Sequence, residues 1–185
     1  MYLHKTLDIA EIAGLKKLQA DNLKINLSQA QAEKEGFLTF QYSADLIQNM
    51  MQYLPQPVVF LNEELVAYAL AASREACMGD ANLEPMIAIC ENLKYKGKSI
   101  KEYSYYTIGQ ICISEAHRGK GLFKELYLKH KELFAERFDI VVTEISAFNY
   151  KSQKAHAALG FETIHQYQQG ETLWNVVVWD FKTKS

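Results

Sequence analysis

The chain has 185 residues, 49% hydrophobic and 23% charged, with a formal net charge of −2. That composition suits one domain over residues 1–185 with a sizeable core, and it excludes a disordered polyelectrolyte. The near-balanced charge gives nucleic-acid binding no electrostatic support, and no apolar run reaches membrane-spanning length.

Tyr2 to Leu7 reads as a short strand, and Asp8 as the N-cap of a helix running to about Gln19. Ser28 to Glu35 reads as a polar helical piece ended by Gly36, and Phe37 to Phe40 as a short strand. Ser43 can cap a helix whose Leu46, Ile47, Met50, Met51 and Leu54 recur at helical spacing until Pro55 and Pro57 stop it. VVFL and LVAYALAA flank Asn62-Glu63-Glu64 as a β-hairpin. NLEPMIAICENL is helical in pattern. LKYKGKSIK reads as a solvated loop whose lysines form a wet face, with phosphate holding as the alternative.

The second half alternates strand and helix. A strand ends at Ser114, and a helix with Leu122, Phe123, Leu126, Tyr127, Leu133 and Phe134 on one face runs to about Phe138. Ile140 to Ile145 is a strand, Ser152 to Leu159 a short helix, and Phe161 to Tyr167 and Leu173 to Phe181 are strands. The last strand, LWNVVVWDF, is apolar on both faces and belongs inside a sheet. The class is α/β, with a parallel strand pair joined by a right-handed crossover.

Three cysteines (Cys77, Cys90, Cys112) are an odd number without CxxC spacing, and the five histidines show no metal-ligand spacing. No disulfide framework and no metal are expected. The N-terminus lacks a signal-like apolar core, so a cytoplasmic location is expected.

HRGKGLF, residues 117–123, stands where a strand becomes a helix. The first helical turn has backbone N–H groups without partners, and these bind anions. Glycine lets the backbone approach a phosphate and take φ > 0, and Arg118 and Lys120 add charge. The loop is neither a Walker A loop nor a dinucleotide fingerprint. On its own it is equally a tight turn with soluble cations.

Residues 144–161, EISAFNYKSQKAHAALGF, change that balance. With them the chain resembles the GNAT superfamily of acetyl-CoA-dependent N-acetyltransferases. Arg118-Gly119-Lys120-Gly121-Leu122-Phe123 is similar to the superfamily's acetyl-CoA loop, Gln/Arg-x-x-Gly-x-Gly/Ala, except at Phe123. Glu144, Ile145, Asn149, Ser152, Ala155, Leu159, Gly160 and Phe161 fit its downstream motif, and His156 stands where tyrosine is usual.

The resemblance implies a mixed, mostly antiparallel twisted sheet with a splayed central parallel pair and helices on both faces. It implies acetyl-CoA as co-substrate, an amine acceptor and a homodimer as a common state, while charge and hydropathy lead to the expectation of no nucleic-acid and no membrane partner. Ile111, Cys112 and Ile113 would pair with the pantetheine arm. The N–H groups from Arg118 to Phe123, including Gly119, Lys120, Gly121 and Leu122, would hold the pyrophosphate, while Asn149 and Ser152 line the cofactor. Asn149 and Ser152 can equally be ordinary strand-end and helix-start caps.

Glu144 sits where ribosomal-protein alanine acetyltransferases of the superfamily carry a general base; a structural glutamate is the alternative. His156 can donate N–H to the leaving sulfur, act as a base, or simply pack. Cys112 as a nucleophile is weighed against a small apolar strand residue, and the latter is the expectation. Tyr103, Tyr105 and Tyr106 either shape an acceptor pocket or suit a sheet. Met78 to Lys101 is expected to cover part of the acceptor side. Phe123 is expected to turn into the core and leave its N–H free. Transfer of another acyl group, an oxygen acceptor, or a non-catalytic acyl-CoA sensor are the rival readings.

Overall fold

The computed structural model of the chain describes residues 1–182. β1 (Leu3–Thr6) leads through a 3-10 turn at Ile9–Glu11 into α1 (Ile12–Asp21), and Asp8 caps that turn with Glu11 in a capping box. α2 (Gln29–Glu35) starts on Ser28 and stops at Gly36 (φ 77°); α3 (Ala44–Tyr53) starts on Ser43, whose hydroxyl accepts from Leu46 N–H. β2 (Pro57–Leu61) and β3 (Glu64–Ala72) form the expected hairpin, turned by Asn62 and Glu63 at φ 49° and 67°. α4 (Arg74–Cys77) and α5 (Leu83–Glu91) follow.

Residues 93–101 are not a bare loop. They hold a two-stranded ribbon, β4 (Lys94–Tyr95) and β5 (Lys98–Ser99), turned by Lys96 and Gly97 at φ 46° and 84°. Lys96 lies 2.7 Å from Asp180 at the end of the last strand.

β6 (Tyr105–Ile113), α6 (Leu122–Phe134), β7 (Ile140–Ser146), α7 (Tyr150–Ala157), β8 (Glu162–Gln169) and β9 (Thr172–Asp180) complete the chain. The sheet order is β1-β2-β3-β6-β7-β9-β8, antiparallel throughout except for β6 and β7. β9 therefore lies inside the sheet, as its two apolar faces require. α1, α3 and α5 cover one face through Leu15, Ile47, Met50, Met86 and Ile87. α6 covers the other through Leu122, Leu126, Tyr127 and Phe134, with α7 beside it through His156.

Three boundaries differ from expectation. Phe37–Phe40 is not a strand: only Leu38 forms a bridge, to Leu23. α6 ends at Phe134 and continues only as a turn, Phe138 N–H bonding Phe134 O at 2.8 Å. α7 begins at Tyr150, because Asn149, not Ser152, is its N-cap. Among the described residues no helix is long and apolar enough to cross a membrane.

Candidate active site

β6 and β7 pair only at Tyr105–Ile140, Tyr106–Val141 and Thr107–Val142. Beyond that the Thr143 hydroxyl donates to Ile108 O at 2.7 Å, and the strands then part. The cause lies in β6: opposite Leu70 and Ala71 its register skips Gly109, a β-bulge. A Cβ on Gly109 would stand 3.2 Å from the Tyr42 hydroxyl, which donates to Gly109 O at 2.6 Å. A side chain there would push the Tyr42 ring back by a few tenths of an ångström. Ile111, Cys112 and Ile113 still pair with β3 on one edge, while their other edge faces a cavity of about 250 Å³.

The turn 118–121 closes one end of that cavity. Gly119 and Gly121 take φ 71° and 88°, and Gly121 is the N-cap of α6. The first capping bond runs from Glu125 N–H to Gly121 O at 3.1 Å. The N–H groups of Lys120 to Phe123 are thus left for an outside acceptor, and the helix dipole favours an anion. Lys120 is exposed. Arg118 is occupied: its guanidinium donates to Ile113 O (3.1 Å), Glu35 (3.2 Å) and Asn22 Oδ1. It fastens the turn to α1 and α2 and lines the cavity as a fixed charge. The Phe123 ring packs 5.0 Å from the rings of both Tyr127 and His156, and the residue also lines the cavity.

Residues 37–42 roof the splay. Asn149 Nδ2 donates to Phe37 O (3.1 Å) and Gln110 Nε2 to Phe40 O (2.8 Å). Gln110 is itself held in the core, its Oε1 accepting from Gln19 Nε2 (2.7 Å) and the Tyr68 hydroxyl (2.5 Å). A buried polar chain thus fixes a segment with little ladder pairing of its own.

A second cavity, about 100 Å³, adjoins the first and shares Ile111, Asn149 and Ser152 with it. Glu144 stands in its wall, accepting a hydrogen bond from Tyr167 across β9. Burial raises the Glu144 carboxyl to about 7, and the Tyr167 hydroxyl partly offsets this. A carboxylate poised near neutrality in a cleft has the property a general base needs. Asn82, Leu83 and Met86 line the same cavity, so the 78–101 segment does meet this side of the sheet.

His156 is 3% exposed, with both ring nitrogens engaged. Nδ1 lies 2.8 Å from Ser152 O and 3.3 Å from Ser152 Oγ, while Nε2 lies 2.6 Å from the Tyr127 hydroxyl. Of Nδ1 and the Ser152 carbonyl oxygen only Nδ1 can carry the proton, so Tyr127 donates to a bare Nε2. Burial pushes the imidazole down to about 4, which keeps it neutral at pH 7. Cys112 is buried and its thiol is pushed up to about 12, which leaves it protonated.

Ile111–Ile113, Arg118, Gly119, Phe123, Glu144, Asn149, Ser152 and His156 line the two joined cavities, whereas Lys120, Gly121 and Leu122 line neither, the Leu122 side chain being buried in the core under α6. Tyr103, Tyr105 and Tyr106 lie elsewhere: their hydroxyls meet Tyr95 O, Glu91 and His130. The lysine-bearing ribbon is held to Asp180, at the end of β9 that adjoins Ile140 rather than the turn 118–121. Sequence reasoning missed Tyr42, Gln110 and Tyr167. Only Tyr167 left a trace, since strand alternation can put it on the Glu144 face once β9 separates the two.

A family model described as the acetyltransferase (GNAT) family matches residues 29–161. No curated protein matches the sequence. Among solved structures, the Escherichia coli ribosomal-protein-S18-alanine N-acetyltransferase superposes with a TM-score of 0.65 at 11% identity, covering 100% of this chain and 97% of that one. A putative acetyltransferase of Salmonella typhimurium, yncA, solved with its cofactor acetyl-CoA, gives 0.63 at 14% identity, over 100% and 96%. Arabidopsis thaliana NAA60 in complex with acetyl-CoA gives 0.68 at 12% identity, over 97% and 99%.

Proposed function

The chain belongs to the acetyltransferase (GNAT) family, and on that premise we propose that it is an acetyl-CoA-dependent N-acetyltransferase acting directly on an amine. One observation carries the reading. A glycine turn at the head of α6, a strand edge parted from its parallel neighbour and a buried carboxylate held at about 7 line two joined cavities in that order.

The residues fit acetyl-CoA on two counts. The positive-φ glycines 119 and 121 leave N–H groups from Lys120 to Phe123 open to a pyrophosphate. The open edge at Ile111, Cys112 and Ile113 offers backbone groups to the amides of the pantetheine arm, with Asn149 and Ser152 in the facing wall. Acetyl-CoA brings the activated acyl group. The unpaired β6 N–H groups are the donors available to its thioester oxygen.

Glu144 takes the proton that the acceptor ammonium must lose, and a value near 7 leaves a useful fraction ionised at neutral pH. His156 has no nitrogen left for the sulfur. It acts as a positioning residue: its Nδ1–H holds the Ser152 backbone and hydroxyl oxygen, which leaves the Ser152 hydroxyl free to donate a hydrogen bond to the leaving sulfur, whose proton comes from the nitrogen of the tetrahedral intermediate. The protonated Cys112 favours direct transfer over a covalent acyl-enzyme. A perturbed carboxylate beside the strand edge also favours catalysis over sensing.

Calorimetry with acetyl-CoA, followed by thiol release over an amine panel, tests this. Saturable binding and amine-dependent thiol release that Glu144→Gln abolishes are expected. Binding without transfer to any amine would overturn it in favour of a sensor.

A further inference from the structure

We propose that the acceptor is a primary amine carrying an apolar group and no carboxylate beside the amine. Two sources share that chemistry: a free apolar monoamine, and a peptide N-terminus with an apolar first side chain. The proposal rests on the acetyl-transfer reading and deepens it.

The charge around Glu144 is one-sided. Among the described residues Glu144 is the only acidic side chain lining its cavity, and His156 is neutral there. Asp80 adds a second negative charge behind the wall: it and Glu144 both act on the buried Tyr42 hydroxyl. Among the described residues no lysine or arginine lines this cavity. Arg118 and Lys151 line the neighbouring cavity, where both are paired with Glu35, and Lys24 lies over the Phe37 ring (5.1 Å) without lining the Glu144 cavity.

An ammonium is therefore welcome, but a carboxylate on the adjacent carbon is not. It would enter with the amine, meet Glu144 at close range, and find no counter-charge. An amide or a hydrogen in its place removes that penalty. The rest of the wall mixes apolar side chains (Leu83, Met86, Phe37, Trp174) with neutral polar ones (Asn82, Asn149, Ser152), none of them a counter-charge for a carboxylate.

Size and shape complete the picture. At about 100 Å³ the cavity takes the amine-bearing end of a molecule and little more. Phe40, 37% exposed, stacks on the buried Trp174 with centroids 6.1 Å apart and planes 24° from parallel. That pair offers a flat apolar rest at the mouth for the group next to the amine.

The test uses the full chain with saturating acetyl-CoA and a matched set of acceptors: phenylalanine, phenylalaninamide, 2-phenylethylamine, a Phe-Gly-Gly peptide and spermidine. Thiol release and product mass are read, with rates expressed per unprotonated amine. Phenylalaninamide is expected to exceed phenylalanine in kcat/KM by roughly 30-fold or more. Placing a cation in the wall with Asn82→Arg is expected to shrink that ratio to about fivefold or less, which identifies charge rather than size as the cause. The ratio of peptide to phenylethylamine then identifies the source.

Equal rates for phenylalanine and its amide, or spermidine as the best acceptor, would overturn the proposal while leaving acetyl transfer intact. Acetyl-CoA binding with no acetylation of any amine would overturn the acetyl-transfer reading, and this inference with it.

Discussion

The Tyr167 hydroxyl on β8 donates a hydrogen bond to the Glu144 carboxylate on β7, reaching across the intervening strand β9. The bond stabilises the ionised form, while burial works against it more strongly and leaves the group at about 7. The rate limb of kcat/KM should therefore rise with pH through about 7. Removing the donor with Tyr167→Phe should move that limb to higher pH, since the offsetting interaction is lost. Glu144→Gln should remove the limb and lower kcat by roughly 10²–10³-fold. A pH–rate profile of the three proteins checks all of this, and a Tyr167→Phe limb that moves to lower pH would contradict it.

The same burial costs stability. A carboxyl raised in the folded protein is destabilising when ionised, so its penalty is absent below the unfolded pKa and grows as pH rises toward and past about 7. Glu144→Gln is therefore expected to be more stable than the parent at pH 8 by about 1–2 kcal/mol, with the difference closing below pH 5. Denaturant unfolding at pH 8 and pH 4.5 measures the gap. A loss of stability at pH 8 would show that Glu144 is a structural ion rather than a poised base.

Two histidines set acid tolerance. His130 is fully buried, between the Tyr106 hydroxyl (3.2 Å) and Ala69 O (3.1 Å), and His156 is nearly so. Burial pushes both down to about 4. Their folded values lie below the unfolded one, so the unfolded chain takes up protons first as pH falls. Stability should drop between pH 6.5 and pH 4, by about 2–3 kcal/mol for each group. Thermal melts at pH 7 and pH 5 should show the fall, and His156→Phe should show a smaller one.

The parts of the fold that declare themselves in the chain are those whose pattern is local. Alternation in YYTIGQICIS, the all-apolar LWNVVVWDF and the glycines of HRGKGLF each report on their own element. Residues 37–42 do not, because they are held by Gln110, Asn149 and a single bridge rather than by a ladder. Position 144 could be read as an acid at a motif site, but its shifted titration depends on burial and on Tyr167, 23 positions away. His156 could be read as a substitution at a motif site. Its partner Tyr127 lies 29 positions upstream, on a helix whose pattern makes that tyrosine look like plain core.

His156 and Ser152 separate positioning from proton transfer. If His156 only holds Ser152, then Ser152→Ala should lower kcat by roughly tenfold, with acetyl-CoA affinity nearly unchanged. His156→Phe should lower kcat to a similar degree and also destabilise the fold by about 1–3 kcal/mol, because the buried Tyr127 hydroxyl loses its acceptor. The rate limb near pH 7 should survive in both. Disappearance of that limb in His156→Phe would instead make the imidazole the base. An unchanged rate and pH profile would leave it purely structural.

The turn 118–121 is predicted to bind through its backbone more than its side chains. Gly121 holds φ 88° as the N-cap of α6, a conformation that costs a side-chain-bearing residue about 1–2 kcal/mol. Gly121→Val should either strain the turn or swing its N–H groups away, and acetyl-CoA affinity should fall by about tenfold or more. Lys120→Ala, at an exposed position, should weaken binding by about threefold at low salt, with little left of the effect at 0.5 M salt. Arg118→Lys should fall between them and lower Tm as well, since an ammonium cannot reproduce the fork that ties Ile113 O, Glu35 and Asn22 together. Calorimetric titration across this series checks the order, and a Lys120→Ala loss exceeding that of Gly121→Val would mean that charge, not the N–H cradle, holds the ligand.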